Sequence, residues 1–403
     1  MTSANNADVS AMEPLLPDNA PLIEPALGLV REANALGGQL HPTTRRSVAD
    51  LLRTINTYHS NLIEGHDTRP RDIERALEGR LVSNPERRAL QLEARAHVEV
   101  QRLVEQRLDT EPSLRITGTE FLVFLHREFY ERMPEAWRKV RSADDRDERI
   151  VVPGQLRDHE VEVGRHRPPA PSALSRFLER FGEAYDPNRF QGLDAVIAIA
   201  ASHHRLLWTH PFLDGNGRVA RLYTDAYLRR AGLGGHGLWT ASRGLARNRA
   251  RYLEALAAAD AERRNHYDGR GARSHAALVS FCQFFLDTCL DQVRFMSSLL
   301  EQDGLLARVG DYVRRRAAGG LGPKLPLEAA HLLRETLLRG EVPRGEAPRI
   351  AGTSERTARR ILSALVRDKL LVSDTPKGPV RLGLPIHAVG FYFPQLFPED
   401  ALQ

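Results

Sequence analysis

Apolar residues along most of this chain return every three to four positions, the period of an α-helix with one buried face. Val48, Leu51, Leu52 and Ile55 keep that spacing through 48–58. Residues 195–208 are apolar on nearly every side until they end in Ser-His-His-Arg-Leu-Leu-Trp, which predicts a buried helix. Further helices are expected over 219–231, 252–260 and, as a long apolar run, 278–300. Residues 354–368 are amphipathic, with Ser354 as N-cap and Ala358, Ile361, Leu362 and Leu365 inward. Two stretches leave the helical period. Residues 161–169 alternate apolar and polar before Pro168 and Pro169, which reads as a short surface strand with a partner near 150–152. Residues 370–372 and 380–382 flank Thr375-Pro-Lys-Gly-Pro379 and read as a second hairpin. The fold class is therefore mainly α with two small β elements.

Breaks in the pattern divide the chain. Residues 1–20 are polar, aperiodic and contain proline, so a loose tail is expected. A helical region follows over 21–113, a central region over 114–305, and Ala317-Ala-Gly-Gly-Leu-Gly-Pro323 reads as a linker over 317–323 to a last domain, 324–403. There is no internal repeat. With 403 residues the chain is long enough for two or three domains and a substantial core. A hydrophobic content of 42% and a mean hydropathy of −0.39 place it among soluble globular chains. No run of about 18 apolar residues and no secretory leader pattern occur, so no membrane partner and a cytoplasmic location are expected. The only cysteines, Cys282 and Cys289, lie seven apart on one helical face; packing in a reducing compartment accounts for them.

The chemistry concentrates in His210-Pro-Phe-Leu-Asp-Gly-Asn-Gly-Arg-Val-Ala-Arg221, between two predicted helices. His210 can accept a proton near neutral pH and suits a general base acting on a hydroxyl. Asp214 is a hard oxygen ligand of the kind that Mg2+ on a nucleotide requires. Gly215, Asn216 and Gly217 stand at a helix N-terminus, where free N–H groups and the dipole favour phosphate. Arg218 and Arg221 can hold outer phosphates in bidentate fashion. Phe212 and Leu213 are expected to anchor the loop in the core. A packed core does not call for such a density of polar groups beside a buried helix. No Gly-x-x-x-x-Gly-Lys-Ser/Thr run is present, which excludes a P-loop site.

These twelve residues match, at every defined position, the signature His-Pro-Phe-x-Asp/Glu-Gly-Asn-Gly-Arg-x-x-Arg, and the chain resembles the Fic family. That resemblance implies a Fic-type helical bundle with a β-hairpin flap. It implies transfer of AMP from ATP to a Ser, Thr or Tyr hydroxyl of a target protein. His210 would be the base, Asp214 would hold Mg2+, and Gly215 to Arg221, with Val219 and Ala220 inside the run, would hold the phosphates. Upstream, Ser60-Asn-Leu-Ile-Glu64-Gly65 resembles the family's inhibitory pattern, Ser/Thr-x-x-x-Glu-Gly/Asn. Ser60 and Glu64 are four apart, on one face if the helix continues, and Gly65 is a natural stop. The resemblance implies that Glu64 pairs with Arg221 and blocks the productive place of the γ-phosphate. In some relatives this glutamate also serves removal of AMP. Residues 150–169 stand where the family carries its flap, so Val163, Gly164, Arg165 and His166 are expected to border the nucleotide. Tyr252 and Asp260 fall where relatives place adenine contacts. Leu253 and Asp260 depart from the aromatic pair and Asn usual there.

The last domain resembles a winged helix-turn-helix, a module that follows some Fic domains. Residues 308–381 hold 16 Lys and Arg against 8 Asp and Glu, a local net of +8 in a chain of net +5. Arg356, Arg359 and Arg360 can face phosphates or base edges. DNA binding and protein contact both fit. The leading reading is an autoinhibited adenylyltransferase, self-modification and a homodimer being compatible with it. The alternatives are a DNA-binding regulator with the Fic domain as sensor, Glu64-dependent removal of AMP, and a kinase-like variant, against which Gly217 argues.

Overall fold

The computed structural model describes residues 8–18, 20–38, 40–141, 148–398 and 401. The first half is helical: α1 (Ile23–Ala35), α2 (Pro42–Ile63), α3 (Pro70–Leu77), α4 (Pro85–Thr110) and α5 (Thr119–Glu131). Proline at the first helical position starts α2, α3 and α4, where its missing N–H costs no bond. Asn84 caps α4 by accepting from Arg87 N at 3.0 Å. A two-stranded antiparallel ribbon follows, β1 (Lys139–Arg141) on β2 (Glu148–Ile150). Then come α6 (Leu174–Ala184), α7 (Leu193–Thr209), α8 (Asn216–Arg230), α9 (Ala241–Arg247), α10 (Arg249–Ala259) and α11 (His275–Leu300).

The core forms around α11, which packs on α1, α7, α9 and α10, while α8 lies between α7 on one side and α4 and α5 on the other. Cys282 and Cys289 are free and buried within α11. His203 and His204 are also core residues. His203 bonds Thr224 Oγ1 and the Tyr252 hydroxyl, both at 2.7 Å, and His204 lies 3.1 Å from Leu256 O. No described helix is long and apolar enough to cross a membrane.

The C-terminal region holds α12 (Gln302–Ala318), α13 (Ala329–Arg339), β3 (Glu341–Val342), α14 (Ala347–Ala351), α15 (Glu355–Arg367), β4 (Leu371–Val372), β5 (Val380–Leu382) and α16 (Ile386–Tyr392). The strands form an antiparallel sheet ordered β3-β5-β4. Gly352, at φ 61°, makes the turn between α14 and α15, and Ser354 caps α15.

Three features differ from the sequence reading. Residues 1–7 lie outside the described residues, but 8–18 are packed rather than loose. Met12 is fully buried, and Pro14 O and Leu15 O accept from Arg205 Nη2 and the Tyr185 hydroxyl. The paired ribbon also lies earlier than expected, since Ile150 pairs with Lys139 and not with 161–169. Among the described residues Val163 pairs only with His166, across a two-residue turn opened by Gly164 at φ 61°. Pro168 and Pro169 have no N–H to extend a ladder, and Arg157 ties this segment to carbonyls instead. Finally, of the expected domain 324–403 the described stretch 324–398 does not stand apart: α16 packs on α12 and α3, and Phe397 lies against Tyr58 and His59 of α2.

Candidate active site

α7 and α8 meet at the motif, and the loop between them is fixed from below. Phe212 is fully buried and stacks on His126 at 4.1 Å. Asn216 accepts from Phe212 N at 3.0 Å and donates to Phe212 O at 2.8 Å, closing the loop on itself. α7 ends at His210, whose backbone is left-handed (φ 46°, ψ 61°). That conformation is strained for a residue with a side chain, and such strain gathers at functional positions. Burial, then the charges of Arg157 and His166, push the His210 pKa down to about 4, so its imidazole is neutral at pH 7 and can accept a proton.

Gly215 (φ 79°) turns the chain into α8, and a Cβ there would stand 2.7 Å from the Tyr130 ring. The Tyr130 hydroxyl donates to Asp214 Oδ2 at 2.6 Å. Burial and the nearby Asp214 charge raise the Tyr130 pKa well above its usual value, so it stays a donor. No other described side chain bonds the second Asp214 oxygen, which leaves one hard oxygen ligand beside the α8 N-terminus. That donor, together with nucleotide phosphates, fits Mg2+. Among the described residues no group of three or more His, Cys, Asp and Glu could hold a metal by itself. Val219 and Ala220 are buried in α8 and pack its inner face.

Both motif arginines are already paired. Arg221 Nε donates to Ser60 Oγ at 2.9 Å, and its Nη2 donates to Glu64 Oε1 at 2.5 Å. The Arg221 side chain is 3% exposed and that of Glu64 30%, so the carboxylate reaches the buried guanidinium from the solvent side. Burial raises the Glu64 pKa, but Arg221 and Arg218 outweigh it and hold the group ionised below its ordinary value. A Cβ on Gly217 would lie 2.4 Å from Glu64 Oε1, so this carboxylate rests directly on the glycine nest. α2 delivers it there, ending at Ile63 with Glu64 as its cap and Gly65 at φ 88°.

Arg218 pairs with buried Glu93 of α4, and His66 Nδ1 lies 2.8 Å from Glu93 and 3.1 Å from Arg218 Nη2. The hydrogen bond to Glu93 raises the His66 pKa against its partial burial. From above, Arg157 Nε donates to His210 O at 2.7 Å and its N–H to Pro211 O at 2.9 Å. His166 Nε2 donates to Trp208 O at 2.7 Å.

The structure thus brings Ser60, Glu64, His210, Asp214 and residues 215–221 together, with His166 at the rim. Val163, Gly164 and Arg165 stand exposed at their turn, with no described bond to the motif. Tyr252 is buried beneath the site, bonded to His203 with its hydroxyl near Arg221, and presents no open face. Asp260 caps α10 and lies 3.2 Å from His204. Tyr130, Glu93, His66 and Arg157 escaped the sequence reading; only His66, next to Gly65, had a local signal.

Residues 115–228 match the Fic/DOC family model. Among curated proteins, the protein adenylyltransferases Fic of Drosophila erecta and Drosophila willistoni are each 39% identical over 79 residues. That stretch is 20% of this chain and 16% of each relative, so the chain spans about a sixth of their length. A Fic family protein from Desulfovibrio desulfuricans superposes with a TM-score of 0.50 at 18% identity, covering 90% of this chain and 96% of that one. Fic-1 from C. elegans gives a TM-score of 0.51 at 16% identity, over 70% and 75% of the two chains. Local sequence, fold and motif geometry agree: this chain carries a Fic domain.

Proposed function

We propose that this protein is an autoinhibited protein adenylyltransferase. The contact between Glu64 Oε1 and Arg221 Nη2 carries the reading, because it joins the upstream pattern to the last arginine of the motif across 157 residues. In the released state the β- and γ-phosphates of ATP occupy the place that Glu64 now takes, held by Arg221, Arg218 and the N–H groups of 215–217. Asp214, steadied by Tyr130, would hold Mg2+, which neutralises phosphate charge when bound. His210 removes the proton from a Ser, Thr or Tyr hydroxyl of the target. That oxygen bonds the α-phosphorus, the bond to the bridging oxygen breaks, and pyrophosphate leaves. The work is in-line positioning and charge stabilisation. The 39% identity with enzymes named protein adenylyltransferase supports this over the kinase-like variant, as does Gly217.

The order α13-β3-α14-α15-β4-β5 with sheet order β3-β5-β4 supports reading 324–382 as a winged helix. The DNA-binding regulator with a passive Fic domain is the weaker reading, because a sensor requires neither a neutral His210 nor an oriented Asp214.

The test uses wild type, Glu64→Gly and Glu64→Gly/His210→Ala with Mg2+ and ATP labelled on the α- or the γ-phosphate. We expect protein labelling from the α position at least about tenfold stronger in Glu64→Gly than in wild type, and none with His210→Ala added, because loss of Glu64 leaves Arg221 free to hold the outer phosphates. Label from the γ position would move the chain to the kinase-like reading. Equal α-labelling in wild type and Glu64→Gly would end the brake reading. No labelling in any variant, with release of AMP from a modified protein dependent on Glu64, would establish removal instead.

A further inference from the structure

We propose that the outer face of α15 docks duplex DNA and that α2 carries its occupancy to Glu64. α15 has two opposed faces. Ala358, Ile361, Leu362 and Leu365 are buried. Arg356, Arg360, Ser363 and Arg367 are exposed and follow one another at four, three and four positions, which places them on one stripe. That stripe lies opposite the buried one, about 100° of rotation being added per residue. Its three arginines span about 16 Å at 1.5 Å per residue, which suits a helix lying along a major groove. Among the described residues no carboxylate pairs with Arg356, Arg360 or Arg367; Arg359 alone is engaged on this helix, by Glu355 at 3.1 Å. Several arginines elsewhere in this region are spent within the fold, Arg316 on Asp368, Arg339 on Glu346 and Arg381 on Asp374. The contrast marks the stripe as charge kept for a partner. Exposed Lys377 in the β4–β5 turn adds a further cation. A regular line of guanidinium groups on a helix suits a duplex backbone and base edges better than a folded protein surface, whose charges alternate.

The unit that presents this stripe is bolted to the helix that ends in Glu64. Thr44 Oγ1, in the first turn of α2, donates to Leu337 O near the end of α13 in a buried bond of 2.9 Å. His41, the α2 N-cap, lies so close to Gly340 that a Cβ there would stand 1.9 Å from its Nδ1. β5 and α13 both pack on α2. At the other end Arg249 Nε donates to Ile63 O at 2.7 Å, and Phe397 backs Tyr58 and His59. α2 is thus one continuous 22-residue helix with the C-terminal unit at its start and the Arg221 contact at its end. A helix moves as a rod, so a shift of the unit on its DNA is felt at Glu64. Because the brake is set at rest, that shift acts as release. By linkage, a nucleotide that displaces Glu64 must in turn change DNA affinity by the same factor.

This coupling rests on the brake reading above, and the test separates the two. A 30-base-pair duplex of mixed sequence is titrated by fluorescence anisotropy into wild type and Arg356→Glu/Arg360→Glu at low salt, with and without saturating α,β-methylene-ATP and Mg2+. Self-labelling from α-labelled ATP is measured with and without duplex. We expect salt-sensitive binding weakened at least about tenfold by the charge reversal. We also expect wild-type labelling to rise at least threefold at saturating duplex, Glu64→Gly labelling to stay unchanged by duplex, and the analogue to shift duplex affinity in wild type. Both substituted arginines are exposed, and an unchanged melting temperature checks that the variant folds. Absent duplex binding, equal binding by the charge-reversed variant, or binding with neither labelling nor affinity linked, each overturns the proposal. Strong Glu64→Gly labelling without DNA would leave the enzymatic reading standing in every one of those cases. A shift to a larger species without DNA, abolished by Arg356→Glu/Arg360→Glu, would assign the stripe to a protein contact instead.

Discussion

Glu93 is the residue on which the motif depends most heavily without belonging to it. Its carboxylate is 4% exposed, and Arg218 beside it 6%, so each charge has left water for the other. Removing one member of such a pair leaves the other buried and uncompensated, which costs about 3–5 kcal/mol where burial is this complete. Glu93→Gln keeps the volume and removes the charge. We expect it to lower the melting temperature clearly, and in the Glu64→Gly background to lower α-labelling at least about tenfold because Arg218 no longer stands where phosphates need it. His66 sharpens the readout. Its pKa is raised by Glu93, so wild type is stabilised by protonated His66 below the ordinary histidine value and loses that contribution as pH rises through the raised one. Glu93→Gln should erase this pH dependence, and a variant with wild-type labelling and an unchanged pH profile would refute the positioning role. None of this was legible in the sequence. Glu93 and Arg218 lie 125 positions apart and share no periodic pattern, whereas Ser60, Glu64 and the twelve motif residues could be read because their spacing is local.

At the level of elements, α2, α4 and α8 are tied by a polar cluster beneath the site. Asn56 of α2 donates to Gln101 of α4 at 2.8 Å and to Asp225 of α8 at 2.6 Å, and accepts from Thr240 at 2.6 Å. Asp225 forms part of the floor of a cleft of about 740 Å³ lined also by Arg53, Glu105 and Trp239. Burial raises its pKa to about 7, against the help of Asn56. An acid whose folded pKa is raised contributes stability in full below its unfolded value near 4, and that contribution is lost as pH climbs toward about 7. Wild type should therefore lose stability between pH 4 and 7 at this site, by a few kcal/mol at most, since water in the cleft softens the burial. Asp225→Asn should flatten that part of the profile and keep the fold, measured by urea melts across the range. A profile identical to wild type would show that Asp225 is already ionised at low pH. Helix positions such as 48–58 and 195–208 were plain from periodicity. The ribbon of 139–141 and 148–150 was not, because three-residue strands carry too little alternation to stand out, and 161–169 alternates with no described pairing beyond the Val163–His166 bridge because Pro168 and Pro169 lack an N–H and Arg157 takes Pro169 O.

Across the whole molecule, the C-terminal chain returns to the helix that holds the brake. After β5 it forms α16 on α12 and α3, then runs past Gln395, whose carbonyl accepts from Arg243 Nη2 at 2.7 Å, and seats Phe397 against α2. Phe397 is 3% exposed, edge-on to Tyr58 at 5.4 Å and stacked on His59 at 6.2 Å. His59 is one residue before Ser60, which holds Arg221. Sequence reading treated 324–403 as an appended domain because the glycine-rich break at 317–323 is real, and nothing in a pattern of apolar residues tells which distant surface a terminal segment covers. Phe397→Ala deletes a buried aromatic ring, for which about 3–5 kcal/mol is usual, less where a terminal segment can detach and relax. We expect a lower melting temperature together with wild-type α-labelling raised toward that of Glu64→Gly, because the last turns of α2 lose their backing and the Glu64 contact with Arg221 loosens. Phe397→Leu, which keeps most of the apolar volume, should restore both. A fall in melting temperature with labelling still at the wild-type level would show that this segment only stabilises the fold. Labelling that rises in Phe397→Ala but not in Phe397→Ala/His210→Ala would place the terminal segment in the same chain of contacts as the brake, reached from the end of α2 opposite Thr44.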